Sequence, residues 1–298
     1  MSIPQTVLIT GTATGMGFVT AKTLAQRGHA VFATMRDVDG RNAGPAAALR
    51  DATASAPGRL TVLELDVTSD ESVERAFARA FEQGPIDVVI NNAALGTMYQ
   101  LEAYTPAQFQ RVFDVNVFGM QRINRAVLPH MRARGSGLIV QISSMSGRLV
   151  LPFVGPYVGT KFAVEALCET YRLELASSGV DVVIVQPGAF LTDFAKKALQ
   201  AEDQETLRSY GPLAEVAKAF WAPMVDAPEG TGPSTQLIAD AIADLIATPA
   251  GQRPPRVVVD QLTGPMVEAI NECMQNIQNQ LIAGIQMTEL TTLKVKSS

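Results

Sequence analysis

The amino-acid sequence predicts a doubly wound α/β fold, a parallel sheet of about seven strands with helices on both faces. Three observations carry that expectation. Short β-branched runs alternate with longer helical patterns, the strand runs hold few interior charges, and a glycine-rich turn joins the first run to the first helix. Strands buried on both faces read as continuous apolar runs, the mark of a parallel sheet covered by helices. Right-handed crossovers between them give the doubly wound arrangement.

TVLIT (6–10) is the first expected strand, and GFVTAKTLAQRG (17–28) is a helix ending in glycine. AVFATM (30–35), LTVLEL (60–65), IDVVINN (86–92), GLIVQIS (137–143), VDVVIVQ (180–186) and PRVVVD (255–260) repeat the strand signal. Helical patterns fill the gaps near 43–55, 69–82, 105–134 and 156–177. Ser69 suits an N-cap, with Asp70 and Glu71 in the first turn where the helix dipole favours negative charge.

Two regions break the rhythm. The stretch 189–234 carries Pro212, Pro223, Pro228 and Pro233 and is too long for an ordinary connection. Its apolar members Phe190, Phe194, Leu199, Phe220, Trp221 and Met224 favour a folded lid over a linker. Beyond Asp260, Met266, Ile270, Cys273, Ile277, Leu281 and Gly284 recur at helical spacing. This helical tail (261–298) packs on its own subunit or forms a subunit contact, and residues 1–298 read as one domain.

The apolar fraction of 47% and charged fraction of 18% suit a soluble domain with a large core. A net charge of −5 gives no basic footprint for nucleic acid. No polybasic run marks an anionic membrane as a partner. No uninterrupted apolar run reaches the length of a membrane span, and MSIPQTVLITG lacks the parts of a signal peptide. The expectation is a cytoplasmic protein. Cys168 and Cys273 then read as reduced core residues. With only His29 and His130, and no clustered cysteines, no metal site is expected.

TGTATGMG (10–17) lies between the first strand and first helix, where a doubly wound sheet binds a nucleotide pyrophosphate. Gly11 permits a tight turn, Gly15 a close approach to phosphate, and Gly17 close helix–strand packing. Thr12, Thr14 and Met16 complete the turn, and the helix N-terminus presents free N–H groups. Its spacing differs from the commoner G-x-G-x-x-G. ATMRD closes the second strand. A carboxylate at that strand end selects NAD, whereas arginine receives a 2′-phosphate. Guanidinium–phosphate pairing is charge-assisted, so Arg36 favours NADP(H) over NAD(H). The alternative is a surface arginine paired with Asp37.

With TGTATGMG, NNAA, ISS and YVGTK in order, the chain resembles the short-chain dehydrogenase/reductase family over residues 4–260. It looks like the compact single-domain branch with a Rossmann-type sheet. ATMRD followed by LDVTS is similar to hydroxysteroid and retinol dehydrogenase-like members. The resemblance implies Asp66 and Val67 at the adenine, Asn91 stabilising the central sheet and lining the cofactor cleft, and Asn92 and Ala93 in that cleft. Ala94 replaces the family's usual glycine and puts substrate size in question. The resemblance also makes Asn116 the helix asparagine that supports a water leading to the lysine. Pro187 and Gly188 form the turn beside the nicotinamide, and Thr192 is available to its carboxamide. Ser144, Tyr157 and Lys161 take the family's catalytic positions. A homodimer or homotetramer is the implied assembly.

The chemistry gives those residues reasons. Hydride addition to a carbonyl leaves an oxygen that must gain a proton, and a free tyrosine with a pKa near 10 shuttles protons poorly at neutral pH. Lowering Tyr157 by about three units takes about 4 kcal/mol, roughly what a unit charge about 4 Å away supplies at an effective dielectric of 20. Lys161 lies one helical turn along the same face. It is expected both to acidify Tyr157 and to hydrogen-bond the nicotinamide ribose, while Ser144 donates to the substrate oxygen. Against this stands a solvated Tyr–Lys helix face. The position after the ISS strand, with Pro156 suiting a helix start, favours catalysis.

Leu95, Met145, Leu151, Phe153, Phe190 and Trp221 suggest an apolar pocket for a moderately hydrophobic ketone, aldehyde or secondary alcohol. The expected activity is therefore an NADP(H)-dependent carbonyl reductase or alcohol dehydrogenase. Two rivals are a nucleotide-binding sensor without turnover and an NAD-dependent dehydrogenase of the same family. A third is an epimerase or dehydratase, for which a longer C-terminal domain is expected.

Overall fold

Val7 and Ile9 of β1 (Thr6–Thr10) face one side of the sheet and Leu8 the other, and all three are fully buried. A strand apolar on both faces belongs in the middle of a covered sheet. In the computed structural model, which describes residues 3–226 and 232–295, β1 lies between β2 (Ala30–Met35) and β4 (Val88–Asn91), parallel to both. β3 (Arg59–Glu64) extends the sheet beyond β2. β6 (Gly137–Ile142), β7 (Val180–Pro187) and β9 (Arg256–Val259) extend it beyond β4. The order is β3-β2-β1-β4-β6-β7-β9, parallel throughout.

Helices cover both faces. Ala21 and Leu24 of α1 (Gly15–Gln26), Leu49 of α2 (Ala43–Ala52) and Ile238 and Ile242 of α10 (Gln236–Ala247) join Val7 and Ile9 in one core. Phe77 of α3 (Asp70–Phe81), Ile123 of α5 (Gly119–Arg134) and Val164 of α6 (Gly155–Leu175) join Leu8 in the other. Truncating a fully buried leucine such as Leu8 to alanine costs about 2–5 kcal/mol through lost burial and the cavity left behind. Ser69 caps α3 by accepting from the Ser72 N–H, with Asp70 and Glu71 in the first turn.

Several expectations need correction. The helical pattern near 105–134 is three pieces: α4 (Pro106–Phe113), a π-helical turn over Asp114–Phe118, and α5. Hydrophobic spacing does not reveal a π-turn, because one inserted residue barely disturbs the stripe; such turns are frequent at functional sites. The first helix starts at Gly15, so two of the motif's glycines lie in its first turn. Between β7 and α10, the chain expected as a lid folds as α7 (Asp193–Lys196), α8 (Gln204–Ser209) and α9 (Pro212–Val225). Two-residue strands β5 (Thr97–Met98) and β8 (Leu199–Gln200) tie it to the body. Pro228 lies outside the described residues.

The tail forms α11 (Gly264–Gly284), which packs through Val267 and Ile282. Met266, Ile277 and Leu281 of the expected apolar stripe are instead exposed. Cys168 is buried as expected, but Cys273 is exposed. No helix among the described residues is long and apolar enough to cross a membrane.

Candidate active site

The chain leaves β1 towards β2 on one side and reaches β4 on the other, so a crevice opens beyond the carboxyl ends of the central strands. The cleft there has a volume of about 420 Å³. Gly11 turns the chain at φ +73°, and a Cβ on it would come within 2.9 Å of Ala93 Cα. A Cβ on Gly17 would lie 2.4 Å from the Gly11 carbonyl and 2.5 Å from Asn92 Nδ2. Asn92 Nδ2 donates to the carbonyls of Thr10 and Gly11, both at 2.9 Å, which locks the turn against β4. These contacts require glycine, and they hold the start of α1 open towards the cleft as an anion cradle.

Gly11, Thr14, Gly15, Met16 and Gly17 line the cleft, as do Arg36, Asp66, Val67, Asn92, Ala93, Pro187, Gly188 and Thr192. Thr12 does not. It is fully buried, and its hydroxyl donates to the Thr34 carbonyl at 3.1 Å, so it braces the turn from behind. Asn91 also stands behind the wall, donating to Asn124 Oδ1 at 3.0 Å.

At the end of β2, Asp37 turns away from the cleft. Its carboxylate accepts from the Arg41 N–H at 3.0 Å, and Arg41 Nε lies 3.8 Å away. Asp37 therefore does not pair with Arg36, whose guanidinium reaches Asp66 at 3.7 Å along the cleft edge. Both partners are substantially exposed, so the pair is weak and the guanidinium is available to an anion. Asn42, at the start of α2, completes this corner. The residues fit a dinucleotide: a glycine cradle for pyrophosphate and an arginine, held only loosely by Asp66, for the adenosine end.

Ser144, at the end of β6, and Tyr157 and Lys161, on the first turns of α6, line the opposite wall. Lys161 is buried and donates to the Ile142 carbonyl at 2.9 Å, with Nζ 5.4 Å from the Tyr157 ring centre. The pKa directions differ from expectation. Burial pushes the Tyr157 phenol up to about 12, opposed by a hydrogen bond with Ser144. Burial lowers Lys161 to about 8, with Glu165 and Cys168 acting in the opposite direction. Desolvation of the phenolate outweighs the Ser144 hydrogen bond, and the Lys161 ammonium is bonded to the Ile142 carbonyl. The raised value keeps the Tyr157 phenol protonated at neutral pH.

Asn116 sits in the π-turn behind the wall. It accepts from the Leu95 N–H at 2.7 Å and donates to the Leu95 carbonyl at 3.0 Å and to Thr160 Oγ1 at 2.9 Å. Thr160 in turn donates to the Tyr157 carbonyl at 2.7 Å. Asn116 therefore fixes the segment after β4 against α6. Leu95, Met145, Leu151, Phe190 and Trp221 line the cleft. Phe153 does not, and packs instead against Phe220 with ring centres 5.9 Å apart.

Sequence reasoning missed Lys197. Its ammonium donates to Thr14 Oγ1 at 3.1 Å, bringing a lid cation onto the glycine turn across 183 residues. No local signal marks it, because only the fold of α7 returns it there.

The family model described as short chain dehydrogenase matches residues 5–203. The chain belongs to the short-chain dehydrogenase family. Retinol dehydrogenase 8 of Homo sapiens is 39% identical over 222 residues, covering 70% of this chain and 69% of that protein. Such matches span 60% to 69% of the length of the curated relatives. A short-chain dehydrogenase from Streptomyces avermitilis superposes with a TM-score of 0.73 at 28% identity, over 96% of this chain and 98% of its own. An alcohol dehydrogenase from Thermococcus sibiricus, complexed with 5-hydroxy-NADP, gives 0.67 at 27% identity, over 86% and 96%. As a member of this family the chain is a nicotinamide-dependent oxidoreductase.

Proposed function

We propose that this chain is an NADP(H)-dependent carbonyl reductase or alcohol dehydrogenase acting on a moderately hydrophobic ketone, aldehyde or secondary alcohol. The observation that carries the reading is the shared cleft: Ser144, Tyr157 and Lys161 stand on one wall, and Arg36 and the glycine cradle on the other. Leu95, Met145, Leu151, Phe190 and Trp221 make the substrate end apolar, which accords with the retinol named for one relative. Asp37, turned out of the cleft, leaves the adenosine ribose without the acid that selects NAD.

The bound nicotinamide supplies or accepts the hydride. The chain's residues hold the reacting oxygen and move its proton. Ser144 donates a hydrogen bond to the carbonyl oxygen, stabilising negative charge as it develops. Tyr157, protonated at neutral pH, gives that oxygen its proton. The Lys161 ammonium on the next turn stabilises the phenolate left behind, at closer to full strength because the site is shielded from water. In the oxidative direction the same proton returns, so the buried phenol must first ionise with the cofactor in place. We place the homo-oligomer contact at the exposed Met266, Ile277 and Leu281 stripe.

The test follows NADPH absorbance with a panel of apolar ketones and aldehydes, beside Tyr157→Phe. Turnover by the native protein and its loss by about 10²–10⁴-fold in the variant, with NADPH still bound, is the expected result. NADPH binding with no turnover across the panel would overturn it in favour of a sensor.

A further inference from the structure

One turn beyond Lys161 on α6, Glu165 has a side chain only 1% exposed. A buried carboxylate needs partners, and the fold supplies three. Gln186 of β7 donates to Oε1 at 2.8 Å, Arg256 of β9 donates to Oε2 at 3.1 Å, and Arg148, after β6, stands 3.3 Å from Oε2. Both arginines also bind Glu169. Asn271 of α11 closes the cluster, accepting from Arg148 Nε at 3.0 Å and donating to Gln186 at 2.6 Å. Two arginines and two glutamates balance, so the cluster is neutral and Lys161 is the surplus charge beside it.

Gly147 gives the link to the catalytic lysine. A Cβ there would lie 2.7 Å from Ser143 Oγ and 2.8 Å from Glu165 Oε1, so glycine leaves the room this carboxylate uses beside the end of β6. Lys161 binds the carbonyl of the residue just before Ser143. Ser143 Oγ is buried, without a hydrogen-bond partner among the described residues. The titratable groups facing Lys161 from its own helix are Tyr157, Glu165 and Cys168. Arg148 and Arg256 stand beyond Glu165, with Glu169 between them. At this place β7 and α11 offer only the neutral Gln186 and Asn271.

We propose that Glu165 is a positioning residue for the reaction: it is the counter-ion that keeps Lys161 charged, held in place directly by Arg256 of the C-terminal strand and, through Gln186 and Arg148, by Asn271 of the C-terminal helix. Segments well beyond residue 203, where the family model ends, thereby set the pH range of the catalytic wall. The inference rests on the dehydrogenase reading above for its consequence in turnover. The charge state of Lys161 can be read without turnover.

The test is a ¹³Cε NMR titration of lysine-labelled full-length protein, with the Lys161 signal assigned by its loss in Lys161→Met. Glu165→Gln should move the Lys161 midpoint down by about one to two pH units, and Arg256→Met, which removes a cation, should move it up. Glu165→Asp should stay near the native midpoint. The alkaline limb of kcat/KM for carbonyl reduction should shift in the same directions. If Glu165→Gln does not fold, the upward shift in Arg256→Met carries the proposal. Variants that lose thermal stability while the Lys161 midpoint stays in place would overturn it, leaving the cluster purely structural. Absence of turnover in the native protein would sink the proposed activity but not the titration result.

Discussion

Phe194 of the lid meets Tyr157 edge-on, with ring centres 5.5 Å apart at 62°. Phe194 thus covers part of the Tyr157 ring, and burial is what raises the pKa of its phenol. Phe194→Ala should return the phenol towards its ordinary value. It should also raise KM for apolar carbonyls by about tenfold, the loss expected for one aromatic contact. Ultraviolet titration of tyrosinate and steady-state kinetics check both; an unchanged titration would separate the lid from the acid.

The depressed pKa of Lys161 has a definite sign. Its ammonium is present below about pH 8 and lost above it, since burial has lowered the value from 10.5. Carbonyl reduction should therefore plateau on the acid side and fall as pH rises through about 8. A rate profile flat to pH 10 would show that the ammonium is not required.

Arg36 stands free of Asp37 and only loosely against Asp66. Arg36→Ala should raise KM for NADPH at least about tenfold, the scale of one lost charge-assisted hydrogen bond, and change KM for NADH little. Equal effects on the two cofactors would remove the 2′-phosphate assignment.

Lys197 spans from α7 to Thr14 on the glycine turn. Lys197→Met should weaken dinucleotide binding several-fold at low salt and less at high salt, because an exposed cation acting on phosphate is screened. Fluorescence titration at two ionic strengths measures this. A salt-independent loss would mean that the lysine acts by packing the lid.

Much of the fold was legible in the chain. Apolar β-branched runs at regular intervals put every strand of the main sheet within two residues of its place, because burial on both faces leaves no other residue choice. The glycines of TGTATGMG and the Tyr157–Lys161 spacing were equally readable, since local backbone geometry and one helical turn determine them. The π-turn at Asn116, the burial of Thr12 and the outward Cys273 were not readable. Each depends on which neighbour a side chain meets, not on its own periodicity.

By itself, then, the sequence determined the strand order's raw material, the glycine turn and the one-turn spacing of Tyr157 and Lys161, because short-range sterics and spacing encode them. Only the tertiary structure decided the protonation of that pair, the direction Asp37 faces, the arrival of Lys197 at the glycine turn and the clamp on Glu165. Those outcomes arise from desolvation and from charges brought together across tens to hundreds of residues, and a linear pattern carries no record of such distances.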